Sequence, residues 1–124
     1  MKKESQDSNI VVYLYNVVIH SLSGIYYTIK EERSLHLWVI SSFVIGIISF
    51  LLKISLLHLI IIFSLQLFVF IIELLNTGIE NTVDLITKEK NILAKKAKDC
   101  GSAASFLAEI IALIIEIYIF YMYL

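Results

Sequence analysis

Three nearly unbroken apolar runs, residues 35–52, 54–75 and 103–124, follow a segment at 10–32 whose polar positions recur at intervals of three and four. Each run approaches the roughly 20 residues that cross about 30 Å of hydrocarbon at 1.5 Å per residue, so the pattern predicts three transmembrane helices. In the first segment Asn16, His20, Ser23, Gly24, Tyr27 and Lys30 or Glu31 line one side of a helix and apolar residues line the other. That arrangement predicts an amphipathic helix on the membrane surface. Tyr13, Tyr15, Tyr26 and Tyr27 suit the headgroup level. A fourth span over 10–29 is the alternative. The first two spans are separated only by a turn at Lys53 and must form a hairpin, while residues 85–101 make a charged connection to the third. The reading is one all-α integral membrane domain, residues 1–124.

Composition strengthens the membrane reading. The chain is 59% hydrophobic, has no proline and has a mean hydropathy of +0.85, too apolar for an ordinary soluble domain of 124 residues. The first nine residues show no compact basic-then-apolar leader with a small-residue cleavage site, so an unprocessed chain is expected. The single cysteine, Cys100, has no intramolecular partner and is expected as a free thiol.

The net charge of −1 conceals an asymmetry. Of ten Lys and Arg, four precede the first span (Lys2, Lys3, Lys30, Arg33), Lys53 sits in the hairpin turn, and five follow the second span (Lys88, Lys90, Lys95, Lys96, Lys98). Basic connections stay cytoplasmic. The N-terminus and the 85–101 connection are therefore expected on the cytoplasmic side of the membrane, with Lys53 and the C-terminus outside. No nucleic-acid partner is expected.

The decisive stretch is ELLNTGIENTVDL at 73–85. At about 100° per residue, Glu73, Asn76, Glu80 and Asp84 fall near 0°, −60°, −20° and +20°, one sector about 80° wide. An acid at membrane depth, as Glu73 is expected to be, costs on the order of 2.5–3.5 kcal/mol on insertion scales, which makes function the default reading. Carboxylates at this spacing suit a hard divalent cation carrying substrate phosphates. A polar seam between helices is the alternative. Two further clusters lie nearby. AKKAKDCGSAA at 94–104 sets Lys95, Lys96, Lys98 and Asp99 before the third span, and its small residues allow close helix approach. KEER at 30–33 brings Glu31 and Glu32 to the junction with the first span. The lysines of the 94–104 cluster suit phosphate as well as ordinary topogenic roles, and the acids of KEER have ordinary solvation as their alternative. The four glycines form no GxxxxGK loop, and His20, His36 and His58 have no cysteine at zinc spacing.

ELLNTGIENTVDL followed by AKKAKDCGSAA closely resembles the signature of the prokaryotic diacylglycerol kinase and undecaprenol kinase family. Gly24, Glu32, Glu73 and the Lys98-Asp99 pair also stand in the family's order, so the resemblance covers roughly residues 16–124. It implies a homotrimer of subunits with three spans and an N-terminal surface helix, with ATP as cosubstrate and Mg²⁺ as cofactor. It further implies that Glu73 is the general base for a lipid hydroxyl, that Glu32 and Glu80 hold the Mg²⁺, and that Asn76 orients the site. Lys98 would neutralise charge on the transferring phosphoryl group, and Asp84 and Asp99 would support the metal and nucleotide end. The family pattern has a basic residue after the first acid, where this chain reads Leu35-His36-Leu37. Glu109 and Glu116, seven residues apart on one face of the third span, are expected to meet polar residues such as Gln66 or His58, or a neighbouring subunit.

Diacylglycerol is the favoured acceptor, because ENTVDLITKE and AKKAKDCGSAASFL look closer to the Gram-negative diacylglycerol kinases. Undecaprenol is the alternative acceptor. From a different class comes a non-enzymatic channel or assembly subunit whose acids line a pore or seal an interface.

Overall fold

The computed structural model describes residues 10–124. Lys2, Lys3 and the expected absence of a leader lie outside the described residues. Four helices account for nearly all of the remainder: α1 (Ile10–Glu31), α2 (Arg33–Leu51), α3 (Leu56–Ile86) and α4 (Ile92–Tyr121). All four are long and apolar enough to cross a membrane, α1 having the lowest hydropathy. The protein is an all-helical membrane protein.

Large apolar side chains point outward over most of the surface. Phe43, Phe50, Leu56 and Phe63 are largely exposed, and in water these faces would be untenable over such an area. Hydrocarbon satisfies them. The inward faces are small. Gly101, Ser105, Ala108, Ala112, Glu116 and Ile119 form the buried stripe of α4, at spacings of three and four. Small residues let the backbones of α3 and α4 approach closely, and these two helices form the tightest pair. Val69 of α3 packs against Ala108 and Ala112, flanked by Trp38, Leu65 and Ile72. Nearer the hairpin end, Ile54, Ile62 and Ile119 form a second cluster.

Helix α2 leans on α3 chiefly through Trp38. Its ring stacks on Phe70 with centroids 4.8 Å apart, and Nε1 donates to the Gln66 carbonyl at 3.2 Å. The hairpin turn places Lys53 at φ 52, a left-handed conformation that closes the two helices in few residues. Tyr123 ties the chain's end to this turn, its hydroxyl accepting from the Ser55 amide at 3.0 Å and bonding His58 Nδ1 at 2.8 Å.

The 85–101 connection is mostly helical. Only residues 87–91 lie between α3 and α4, because Asn91 caps α4 with its side chain, accepting from the Leu93 and Ala94 amides at 2.8 and 3.2 Å. The charged residues on either side ride on helix ends. With 31 and 30 residues, α3 and α4 are about 45 Å long, well beyond the hydrocarbon thickness of about 30 Å. The excess carries Glu80, Asp84, Lys98 and Asp99 at the same end of the bundle.

The expected meeting of Glu116 with Gln66 occurs. Gln66 Nε2 donates to Glu116 Oε1 at 2.7 Å, and Gln66 Oε1 accepts from Ser42 Oγ at 2.6 Å. One amide thus joins α2, α3 and α4, donating to one neighbour and accepting from the other. His58 pairs with Tyr123 instead. Cys100 is a free, exposed thiol.

Candidate functional site

At the α1–α2 junction the chain interrupts its helix for a single residue, Glu32, which takes extended backbone angles (φ −96, ψ 119) as the N-cap of α2. The Glu32 side chain makes no capping bond, so its carboxylate is not spent on its own helix. It lines a cavity of about 340 Å³ together with Glu73, Asn76 and Glu80 of α3. Four residues singled out from sequence thus share one space.

Glu73 is 5% exposed, and Ser34 Oγ donates to its Oε2 at 3.3 Å. The buried Ser105 hydroxyl faces the same carboxylate without closing a hydrogen bond of good geometry. No cation neutralises Glu73 among the described ion pairs. Its neighbours are instead the like-charged Glu109 and Glu80. A buried carboxylate bonded by one hydroxyl, with no ion pair, can accept a proton without first giving up a cation.

Asn76 acts on Glu80. Its Nδ2 donates to Glu80 Oε1 at 3.1 Å, one helical turn along α3, while its Oδ1 is buried against Gly101 of α4 without a partner. A side chain at residue 101 would occupy that oxygen's place. The glycine therefore lets α4 approach and fixes the direction of the amide, which in turn fixes Glu80.

The remaining three residues lie apart. Asp84, Lys98 and Asp99 line a second cavity of about 300 Å³ beside the α3–α4 connection, with Lys88, Lys95 and Asn91. Lys98 Nζ donates to Asp84 Oδ1 at 2.6 Å, and Lys95 Nζ to Asp99 Oδ2 at 2.7 Å. Both pairs are substantially exposed, so neither does much for stability. They leave two cations and two acids at the mouth of the bundle, available for exchange with an incoming ligand.

The sequence placed none of Ser34, Ser102, Ser105 and Glu109 in the site, and Glu109 was expected beside Gln66 or His58, yet all four line the first cavity with Arg33 and Phe106. The signal existed for three of them. Ser102, Ser105 and Glu109 recur at spacings of three and four, one face of α4. Among the described residues no group of three or more ligating side chains converges in metal-binding geometry. Glu32 and Glu80 nevertheless offer two carboxylates to one cavity, the donor set that Mg²⁺ takes when water and phosphate fill its other positions.

Fold and site together define a helical membrane protein with an acidic chamber at one end of its bundle and a charged mouth beside it. A family model described as prokaryotic diacylglycerol kinase matches residues 19–120, and the chain belongs to that family of lipid kinases. It is 39% identical over 102 residues to the undecaprenol kinase of Bacillus subtilis, covering 82% of this chain and 83% of that one. It is 36% identical over 95 residues to the diacylglycerol kinase of Pseudomonas aeruginosa, covering 77% of each. With the diacylglycerol kinase of Escherichia coli K12 it shares 50% identity over 46 residues, 37% of this chain and 38% of that one.

Proposed function

We propose that this chain transfers the γ-phosphoryl group of ATP to the primary hydroxyl of a membrane lipid, and that the lipid is diacylglycerol, which becomes phosphatidic acid. The observation that carries the proposal is the chamber itself. Glu73, buried and in no ion pair among the described residues, lies seven residues from Glu80 on one face of α3, a rise of about 10.5 Å. That separation suits a proton acceptor at the depth of a lipid hydroxyl and a phosphate end nearer water.

Glu73 takes the proton of the lipid hydroxyl as its oxygen bonds to the γ-phosphorus and the bond to the ADP oxygen breaks. Ser34 holds the Glu73 carboxylate in position through its donated hydrogen bond. Glu32 and Glu80 are the residues that would hold Mg²⁺, which when bound offsets the charge of the ATP phosphates. Asn76 keeps Glu80 aimed into the chamber. Lys98 exchanges Asp84 for a phosphate oxygen, and Asp84 and Asp99 support the nucleotide end. Phosphoryl transfer asks a protein mainly for such positioning and charge compensation.

The same proposal puts α1 on the cytoplasmic membrane surface, with α2, α3 and α4 as the three spans of each subunit of a homotrimer, the N-terminus inside and the C-terminus outside. The lower hydropathy of α1 and the basic residues at the chamber end support the placement of the helices and termini, and the trimer follows from the family resemblance. Undecaprenol is the second reading, favoured by 39% identity to an undecaprenol kinase over most of both chains. Both acceptors are lipid alcohols and ask the same of Glu73.

Purified protein in mixed micelles with Mg·ATP and either diacylglycerol or undecaprenol tests the proposal by following labelled phosphate into lipid. Transfer to diacylglycerol with the higher kcat/KM is expected. A preference for undecaprenol reassigns the acceptor, and transfer to neither alcohol sinks the kinase reading.

A further inference from the structure

The single extended residue between α1 and α2 is mechanically a hinge, and Glu32 is that residue. Something must set the angle at which α1 leaves α2, because that angle decides where the Glu32 carboxylate points. Backbone bonding does part of this. The Glu32 amide donates to the Thr28 carbonyl at 2.9 Å, the last bond of α1's own ladder. The next carbonyl, Ile29's, would be taken by residue 33 in a continuous helix. The break at Glu32 denies it that donor, and no backbone amide takes it among the described residues. His36, one turn into α2, reaches back across the junction and places Nε2 2.7 Å from the Ile29 oxygen. A carbonyl oxygen only accepts, so Nε2 carries the proton. The neutral Nε2–H tautomer and the imidazolium both make this bond.

We infer that His36 is a positioning residue, which fixes the α1–α2 hinge by capping the orphaned Ile29 carbonyl and thereby holds Glu32 in the acidic chamber. The side chain is at the surface and lines none of the cavity that contains Glu32, so its influence passes through the hinge. Its neighbours on either side divide the other work of the junction. Ser34 bonds Glu73, and Leu35, with no exposed surface, anchors the start of α2 in the bundle. The packing of Leu35 holds α2, and the hydrogen bond of His36 adds a side-chain tie from α2 to the end of α1.

This inference rests on the reading that Glu32 serves the nucleotide end, and the test separates the two. His36→Leu keeps a bulky side chain but removes the donor, and loss of one such bond is expected to raise KM for Mg·ATP about tenfold, with KM for the lipid unchanged. His36→Gln, whose amide nitrogen falls near the position of Nε2, is expected to restore the nucleotide KM to within about twofold of the wild type, the residual that a modest change in hydrogen-bond geometry leaves. An unchanged KM for Mg·ATP in His36→Leu, or equal impairment in His36→Gln, would overturn the inference. The wild-type protein supplies a readout independent of activity. Nitrogen NMR of labelled histidine in bilayers at neutral pH is expected to show His36 protonated at Nε2, and protonation at Nδ1 alone would overturn the inference. Glu32→Gln serves as the separate control. If that variant keeps its nucleotide KM, the role given to Glu32 fails whatever the state of His36.

Discussion

Replacing Gly101 by alanine puts a methyl group where the Asn76 carboxamide now lies. The added Cβ would overlap Asn76 Oδ1 and come within 3.3 Å of its Cγ, with Ile79 Cδ1 at 3.7 Å closing the other side. Two terms oppose each other. Overpacking a close helix contact costs about 1–3 kcal/mol, whereas alanine in place of glycine inside a helix returns up to about 1 kcal/mol. The net expectation is a loss of about 0–2 kcal/mol. It is accompanied by displacement of the amide and loss of its 3.1 Å bond to Glu80.

A double-mutant cycle isolates the clash. Asn76→Ala removes the group that the methyl would strike, so Gly101→Ala in that background should be neutral or slightly stabilising, and the coupling energy should reach about 1–3 kcal/mol. Reversible unfolding in detergent micelles reads the stability. Steady-state kinetics should show KM for ATP rising in Gly101→Ala, because the amide orients Glu80. If Gly101→Ala costs the same with and without the Asn76 side chain, the argument that this glycine exists to seat the amide is wrong.

Other outcomes follow from single contacts. Glu73→Gln, nearly isosteric, is expected to lose about 10²–10⁴-fold in turnover while retaining nucleotide binding, and retained turnover would remove Glu73 from its role. Glu116→Leu should cost about 1–3 kcal/mol by stranding the Gln66 amide, whereas Glu116→Gln should cost less because its carbonyl still accepts. Thermal unfolding of the two variants compares them directly, and equal losses would refute the network reading. Exposed Cys100 is the chain's single cysteine, so a membrane-impermeant maleimide should label the native protein in inside-out vesicles and not in right-side-out ones. The reverse pattern would overturn the proposed topology.

Much of this architecture is legible in the sequence because a membrane protein writes its helices in long apolar runs. The helical face carrying Glu73, Asn76 and Glu80 is equally legible, since a fixed period of about 100° per residue determines which positions coincide. What periodicity cannot convey is which neighbouring helix meets that face, and at what height. Glu109 shows the consequence. It stood out as an acid in an apolar run, yet its membership of the chamber depends on α4 crossing α3 where Gly101 permits it. The division of the charged residues into two cavities was hidden for a related reason. Asp84 lies on the same stripe as Glu80, but α4 begins at Ile92, close after α3 ends. That early start brings Lys98 alongside Asp84 and draws it away from the chamber. A short connection capped by Asn91 therefore decides how the lysine is used, and a ligand that recruits Lys98 must compete with an acid 2.6 Å from its ammonium. Under the proposed function, phosphate binding would accordingly be an exchange of partners at the bundle's mouth, with the same acid keeping the lysine oriented until the exchange occurs.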